Sequence, residues 1–205
     1  MLIPLRNYSN YSICESNIKI DDLVNCEEKE KLPAIALTDY KLLSGVLEFS
    51  IKCQKKGIQP IIGLDIDYLS ILKNFSRLTI LSKNENGFKN LNILSTKINT
   101  ENNFQLSLRN INDFSDGNIL ILGGLYSYFE DLNINKTNLK VILDEINTLK
   151  KTFNSDIFFE LDENLDNKLL NEISQKCNLN CFLSSFSFYK QDKDFDAIKI
   201  LHCLK

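Results

Sequence analysis

Two acidic residues stand where short apolar runs end, and they are the first candidates for chemistry. Asp39 closes the run AIALTD, and Asp65 closes PIIGLD. A carboxylate at a strand end can ligate a hard cation such as Mg2+, but two carboxylates are too few for a multinuclear centre. Both acids also have plainer uses. Asp39 can cap the helix that follows AIAL, and Asp65 can pair with Arg6 or a Lys. Neutral imidazoles would supply nitrogen lone pairs without added negative charge. Yet the chain holds one His in 205 residues, His202. It follows Phe195 and Ile198 in a helical stripe, with no Ser or Cys nucleophile pattern beside it, so a packed or surface role fits it best.

Other reactive types are no better placed. Of the six cysteines, only Cys177 and Cys181 lie close together. With no second Cys or His pair nearby, the expectation is buried thiols rather than zinc. Gly123-Gly124 follows a strand pattern but lacks the Lys-Ser/Thr and third glycine of a phosphate loop, and reads as a turn. Tyr8, Tyr11, Phe186 and Phe188 could stack bases, or simply fill a core with rings. The net charge of −3 gives no overall attraction to nucleic acid.

The elements that must position these residues follow from periodicity. Short apolar strands alternate with amphipathic helices, which argues for an α/β fold with a parallel sheet. Leu2 to Arg6 is a candidate first strand. Asp21 and Asp22 open a helix, where acids suit the positive end of the dipole. Ala34 to Leu37 is a strand covered on both faces. Leu42, Val46, Phe49 and Cys53 form a helical stripe, ended by Lys55, Lys56 and a C-cap at Gly57. Strands are expected at Pro60 to Ile66, Leu78 to Leu81, Asn118 to Leu122, Asp156 to Leu161 and Cys181 to Ser184. Helices are expected at Asn86 to Leu94, along the Leu139–Phe153 and Leu165–Cys177 stripes, and from Asp194 to Leu204. The stretch Asn99 to Gly117 reads as loops with a short helix. Six or seven β-α units suggest a closed or nearly closed barrel. No linker is visible, so one domain is expected over 1–205. No apolar run approaches the ~20 residues of a membrane span, and no signal peptide is expected from the pattern of the first residues. A cytoplasmic location is the expectation.

Several blocks carry a resemblance. PLRNYSNYS, AIALTDY, GIQPIIGLDID, LTILSKNENGFKNL, ILGG, DIFFEL and FYKQDKDFDA occur in order from near the start to near the end. Together they resemble the PHP (polymerase and histidinol phosphatase) domain at the N-terminus of the bacterial DNA polymerase III alpha subunit. The resemblance implies a distorted (β/α)7-type barrel. In metal-active members, histidines and carboxylates at strand ends hold two or three metals that make a hydroxide and clamp a phosphodiester.

Here those places are changed. On the resemblance, Pro4 and Tyr8 stand at two histidine positions of the first motif, and Asn10 stands where a carboxylate is common. Tyr40 replaces the His of Thr-Asp-His, and Arg77 stands where the family often has His. Phe186 and Phe188 occupy two late ligand places, and Ile198 another. Asp39 and Asp65 remain as the weak metal candidates, with a weak Mg2+ site the most they offer. The expectation is therefore a degenerate site with no catalytic residue and no cofactor.

The implied role is a structural module for the rest of the alpha subunit that docks the proofreading exonuclease subunit among other polymerase III subunits. No membrane partner and little direct DNA contact are expected. A metal-dependent phosphoesterase or 3'-5' proofreading nuclease with an altered site stays open as the enzyme alternative, as does an inactive truncated remnant. A related error-prone polymerase subunit shares much of the motif set. Lys205 falls inside a helical pattern that has met no Gly or Pro stop, and on the resemblance the chain would run on into a polymerase body.

Overall fold

A computed structural model describes residues 3–25, 32–73, 75–124, 136–162, 168–184 and 194–203. The elements run α1 (Ile20–Val24), β1 (Ala34–Leu37), α2 (Val46–Lys56), β2 (Gln59–Leu69), β3 (Phe75–Ser82), α3 (Glu85–Thr100), β4 (Leu106–Ser107), β5 (Asn118–Gly123), α4 (Lys136–Thr152), β6 (Ile157–Asp162), α5 (Lys168–Cys177), β7 (Asn180–Ser184) and α6 (Phe195–Cys203). A 3-10 turn covers Ile111–Phe114. The chain divides into two compact units, Met1–Leu64 with Ser185–Lys205, and Asp65–Ser184.

In the first unit, β1 pairs in parallel with the start of β2, Ala34 opposite Gln59 and Leu37 opposite Ile62. All four β1 residues are buried, as an apolar strand covered on both faces requires. The candidate strand at Leu2 to Arg6 is not a ladder strand. Its described residues still bond as an extended chain, with the Ala36 N–H donating to the Pro4 carbonyl at 3.1 Å and Thr38 N–H to Asn7 carbonyl at 2.9 Å. Asp21 and Asp22 lie in the first turn of α1. Helix α2 buries Val46, Phe49 and Cys53 on one side and ends at Gly57, whose φ of 71° gives the left-handed turn that glycine allows. Lys52 ties the two helices, its ammonium 2.6 Å from both Asp21 and Glu48.

In the second unit, the sheet runs β2-β3-β5-β6-β7, with β4 pairing β2. β5, β6 and β7 are parallel neighbours, joined by chain segments that carry α4 and α5. β3 pairs antiparallel with β5, Thr79 opposite Ile121 and Ser82 opposite Asn118. This departs from the all-parallel sheet expected from the sequence. The segment between β2 and β3 is too short for the crossover helix that a parallel pairing needs. The α/β class itself holds. The other expected elements fall near their places, but Leu42 lies before α2, which starts at Val46, a short strand, β4, interrupts the stretch read as loops, and α3 runs beyond Leu94 to Thr100. Among the described residues, no helix is long and apolar enough to cross a membrane.

Candidate functional site

Within the first unit, Asp39 follows β1 and is 1% exposed. It does not cap α2, whose N-cap is Gly45 with no side-chain cap bond. Lys41 adopts φ 62° between them, and the chain turns away before the helix starts. The carboxylate is instead filled from the first motif. Ser9 N–H donates to Oδ1 at 2.6 Å, Ser9 Oγ to Oδ2 at 2.7 Å and Ser12 Oγ to Oδ1 at 2.6 Å. Ser12 Oγ in turn accepts from Tyr40 N–H at 2.9 Å. Burial pushes the Asp39 carboxyl above the ordinary carboxylate value, while the bonds from Ser12 and Ser9 pull it down. A carboxylate with this donor shell has given up lone pairs that a cation would need.

The other first-unit positions are equally far from a ligand set. Tyr8 is completely buried, and its hydroxyl accepts from Arg6 Nε at 3.1 Å. Its ring is thus core, which removes it as a base-stacking surface. Asn10 is exposed on a turn, its N–H bonded to the Ile18 carbonyl. Pro4 and Tyr40 are half-buried, and Lys41 lies 4.6 Å from the Tyr40 ring centre. Ile198 is buried on α6. Phe186 and Phe188 lie outside the described residues, as does the side chain of His202.

In the second unit, Asp65 on β2 is wholly buried. Thr79 Oγ1 donates to its Oδ1 at 3.0 Å, and Arg77 Nη1 lies 3.7 Å from its Oδ2. Arg77 Nε is 3.9 Å from Oδ1 of Asp67. Asp65 and Asp67 share one face of β2, and Arg77 and Thr79 share one face of β3, because side chains alternate along a strand. A buried carboxylate needs a counter-charge, and here β3 supplies a guanidinium. Further buried acids, Glu145 on α4 and Glu160 on β6, went unmarked in the sequence. Glu145 accepts from Tyr68 Oη at 2.6 Å and from Ile71 N–H at 3.1 Å.

The donors do not fit a metal cluster. Among the described residues, no group of three or more His, Cys, Asp or Glu could hold a metal ion. Cys177 is buried, and its neighbour Cys181 is exposed on β7 rather than buried as expected. Gly123 and Gly124 take φ of 86° and 71° at the end of β5, consistent with a turn.

The partners of Asp39 and Asp65 were not read from the sequence. One signal was available, since Ser9 and Ser12 sit in the motif beside Tyr8. The same-face spacing of Asp65 with Asp67 and of Arg77 with Thr79 was another.

Comparison with known proteins places these observations. Residues 4–164 match the family described as PHP domain. A DNA polymerase III subunit alpha from Chlamydia pneumoniae is 31% identical over 173 residues, covering 78% of this chain and 14% of that one. The corresponding subunit of Borreliella burgdorferi is 28% identical over 232 aligned positions, covering 98% of this chain and 19% of that one. The chain thus spans less than a fifth of the length of these curated relatives. A crystal structure named as a candidate metal-dependent phosphoesterase of Bifidobacterium adolescentis superposes with a TM-score of 0.62 at 9% identity, covering 97% of this chain and 96% of that one. That likeness concerns the fold.

Proposed function

The chain belongs to the PHP domain family, and from that premise we propose that it is a non-catalytic PHP module of a DNA polymerase III alpha-type subunit. Its role in this reading is to stabilise the polymerase body and to dock the proofreading exonuclease subunit within a cytoplasmic replisome. The observation that carries the reading is the Arg77 guanidinium set against buried Asp65. A fixed positive charge there repels the cation that phosphodiester hydrolysis by a metal-activated hydroxide would require. The closed donor shell of Asp39 supports the same conclusion on the other carboxylate.

The relatives supply the partner side of the proposal, since they are polymerase subunits of which this chain matches a small part. A net charge of −3 fits a protein-facing module better than a DNA-tracking one.

The test has two arms. The tagged chain is used to capture DNA polymerase III subunits, and the same preparation is assayed with Mn2+ on a nucleotide monoester and on a primer terminus. Capture of the exonuclease subunit without turnover is expected. Absence of any association overturns the docking role. Metal-dependent turnover that is lost in Asp39→Asn establishes the enzyme alternative instead.

A further inference from the structure

We infer that a cationic groove between the end of β2 and the segment around β4 receives an extended acidic peptide segment of a partner protein. The inference rests on the docking reading, and names the surface and the partner chemistry which that reading leaves open.

The groove lies within the second unit and encloses about 660 Å3. One wall is the turn after β2, with Ile71 and Lys73, and the other is the stretch from Asn103 to Asn110. No residue assigned above to a ligand place lines it. Short-range hydrogen bonds hold both walls. Lys73 N–H donates to the Ser70 carbonyl at 2.9 Å. The Asn110 side chain accepts from Ser107 N–H at 2.8 Å and donates through Nδ2 to the Gln105 carbonyl at 2.9 Å. A surface fixed in this way loses little freedom on binding.

The lining matches three parts of a peptide. Lys73 and Arg109 are exposed, and among the described residues neither side chain has an ion-pair partner. They offer two cations to acidic side chains, in a chain whose net charge is −3. Ile71 is 49% exposed, and Phe104 on the facing wall is half-buried. Together they suit an apolar side chain set between the acids. Asn103 and Gln105 are exposed, with no hydrogen-bond partner for their side-chain amides among the described residues. A primary amide carries both donors and an acceptor, which suits the N–H and C=O of an extended backbone. Glu101 also lines the groove, but Lys97 lies 3.6 Å from its carboxylate and balances its charge locally.

Nucleic acid is the other polyanion to weigh. A protein that tracks DNA makes roughly 6–10 phosphate contacts, and two cations fall well short. Base stacking needs an open aromatic face. Here Lys97 lies over the Phe104 ring, 5.7 Å from its centre, and Phe114 packs against it at near right angles. The groove therefore favours a peptide.

The test pans the full chain against a phage-displayed library of random short peptides, and measures the enriched peptides by fluorescence anisotropy. Peptides in which Asp or Glu flanks a Leu, Ile or Phe are expected. Lys73→Glu combined with Arg109→Glu should weaken them by at least about tenfold, because two exposed attractions become repulsions. Ile71→Ser should weaken them roughly fivefold through lost apolar contact. All three positions are exposed, so the Tm of each variant should stay at the native value. Single-stranded DNA of random sequence should not displace the peptide.

A library that yields no acidic peptide overturns the inference. So does equal binding by the Lys73→Glu, Arg109→Glu chain, and so does ready displacement by the oligonucleotide. If that variant melts early, Lys73→Gln combined with Arg109→Gln replaces it, and undiminished binding there overturns the inference too. Subunit capture separates the two readings. Capture that survives in the charge-reversed chain overturns the groove and leaves docking intact. A native chain that binds acidic peptides here yet captures no subunit removes the docking reading and leaves the groove.

Discussion

Ser9 grips Asp39 twice, donating its backbone N–H to Oδ1 at 2.6 Å and its hydroxyl to Oδ2 at 2.7 Å. The two residues are far apart in sequence and both are buried. The clamp fastens the first motif to the end of β1, and Ser12 adds a third bond to the same carboxylate. In the folded chain the Asp39 carboxylate is a hydrogen-bond acceptor for the first motif.

Removing that clamp should be costly. Ser12→Ala deletes a hydrogen bond to a buried charge and also the acceptor of the Tyr40 N–H. A loss of about 2–3 kcal/mol is expected, since bonds to charged groups contribute roughly 1.5–3 kcal/mol. Ser9→Ala keeps the backbone bond and should cost about 2 kcal/mol. Urea denaturation of each variant measures this, and a loss below ~0.5 kcal/mol in both would show that water replaces the serines without penalty.

The pH dependence of the same site has a definite sign. Burial holds the folded Asp39 carboxyl above the ordinary carboxylate value, against the pull of Ser12 and Ser9. A carboxyl with a raised folded pKa binds its proton more tightly in the folded state. Stability from this group therefore rises as the pH falls through the folded value toward the unfolded one near ~4, and is lowest above that window. Asp39→Asn lacks the titration. Acidification from neutral pH should thus shift the Tm difference in favour of the native chain, as melts at several pH values would record. The opposite slope would mean that the serine bonds outweigh desolvation.

Two glycines should respond very differently to alanine. A Cβ on Gly87 would sit 2.0 Å from the Gly117 carbonyl oxygen and 2.5 Å from Asn118 Oδ1, so α3 lies against the turn before β5 with no room for a side chain. Gly57 has a left-handed φ but open space around its Cβ position. Gly87→Ala is expected to cost about 3 kcal/mol or more through forced backbone movement, and Gly57→Ala about 1 kcal/mol from conformation alone. Equal losses in denaturant melts would refute the packing account.

Thiol chemistry should divide the cysteines by burial. Desolvation pushes the Cys53 thiol up to about 11, and burial raises Cys177 despite the nearby Lys150. Cys181 and Cys203 are exposed. Iodoacetamide at mildly alkaline pH should modify Cys181 and Cys203 first, with Cys53 slower by on the order of a hundredfold, as only thiolates react. Mass spectrometry of a time course reads the order, and early labelling of Cys53 would mean that the α2 interface opens readily.

The sequence by itself determined the local elements and left the chain a single histidine, His202. Phe49 and Cys53 at helical spacing, the left-handed stop at Gly57 and the apolar run of β1 are set by short-range periodicity and turn chemistry, and each lies where expected. The reading that Tyr8, Tyr40 and Arg77 stand at histidine places rests on the resemblance and on residue identity alone. Tertiary structure alone decided what those residues and the remaining acids do. Asp39 reads as a helix cap in a local window and becomes an acceptor for Ser9 and Ser12 only when the first motif lies alongside the end of β1. Asp65 meets Arg77 and Thr79 only through the positions of β2 and β3 in the sheet. The antiparallel β3–β5 pair had no signature of its own. Strand pairing and register depend on contacts between distant segments, whereas hydrophobic periodicity reports only which face of each segment is buried.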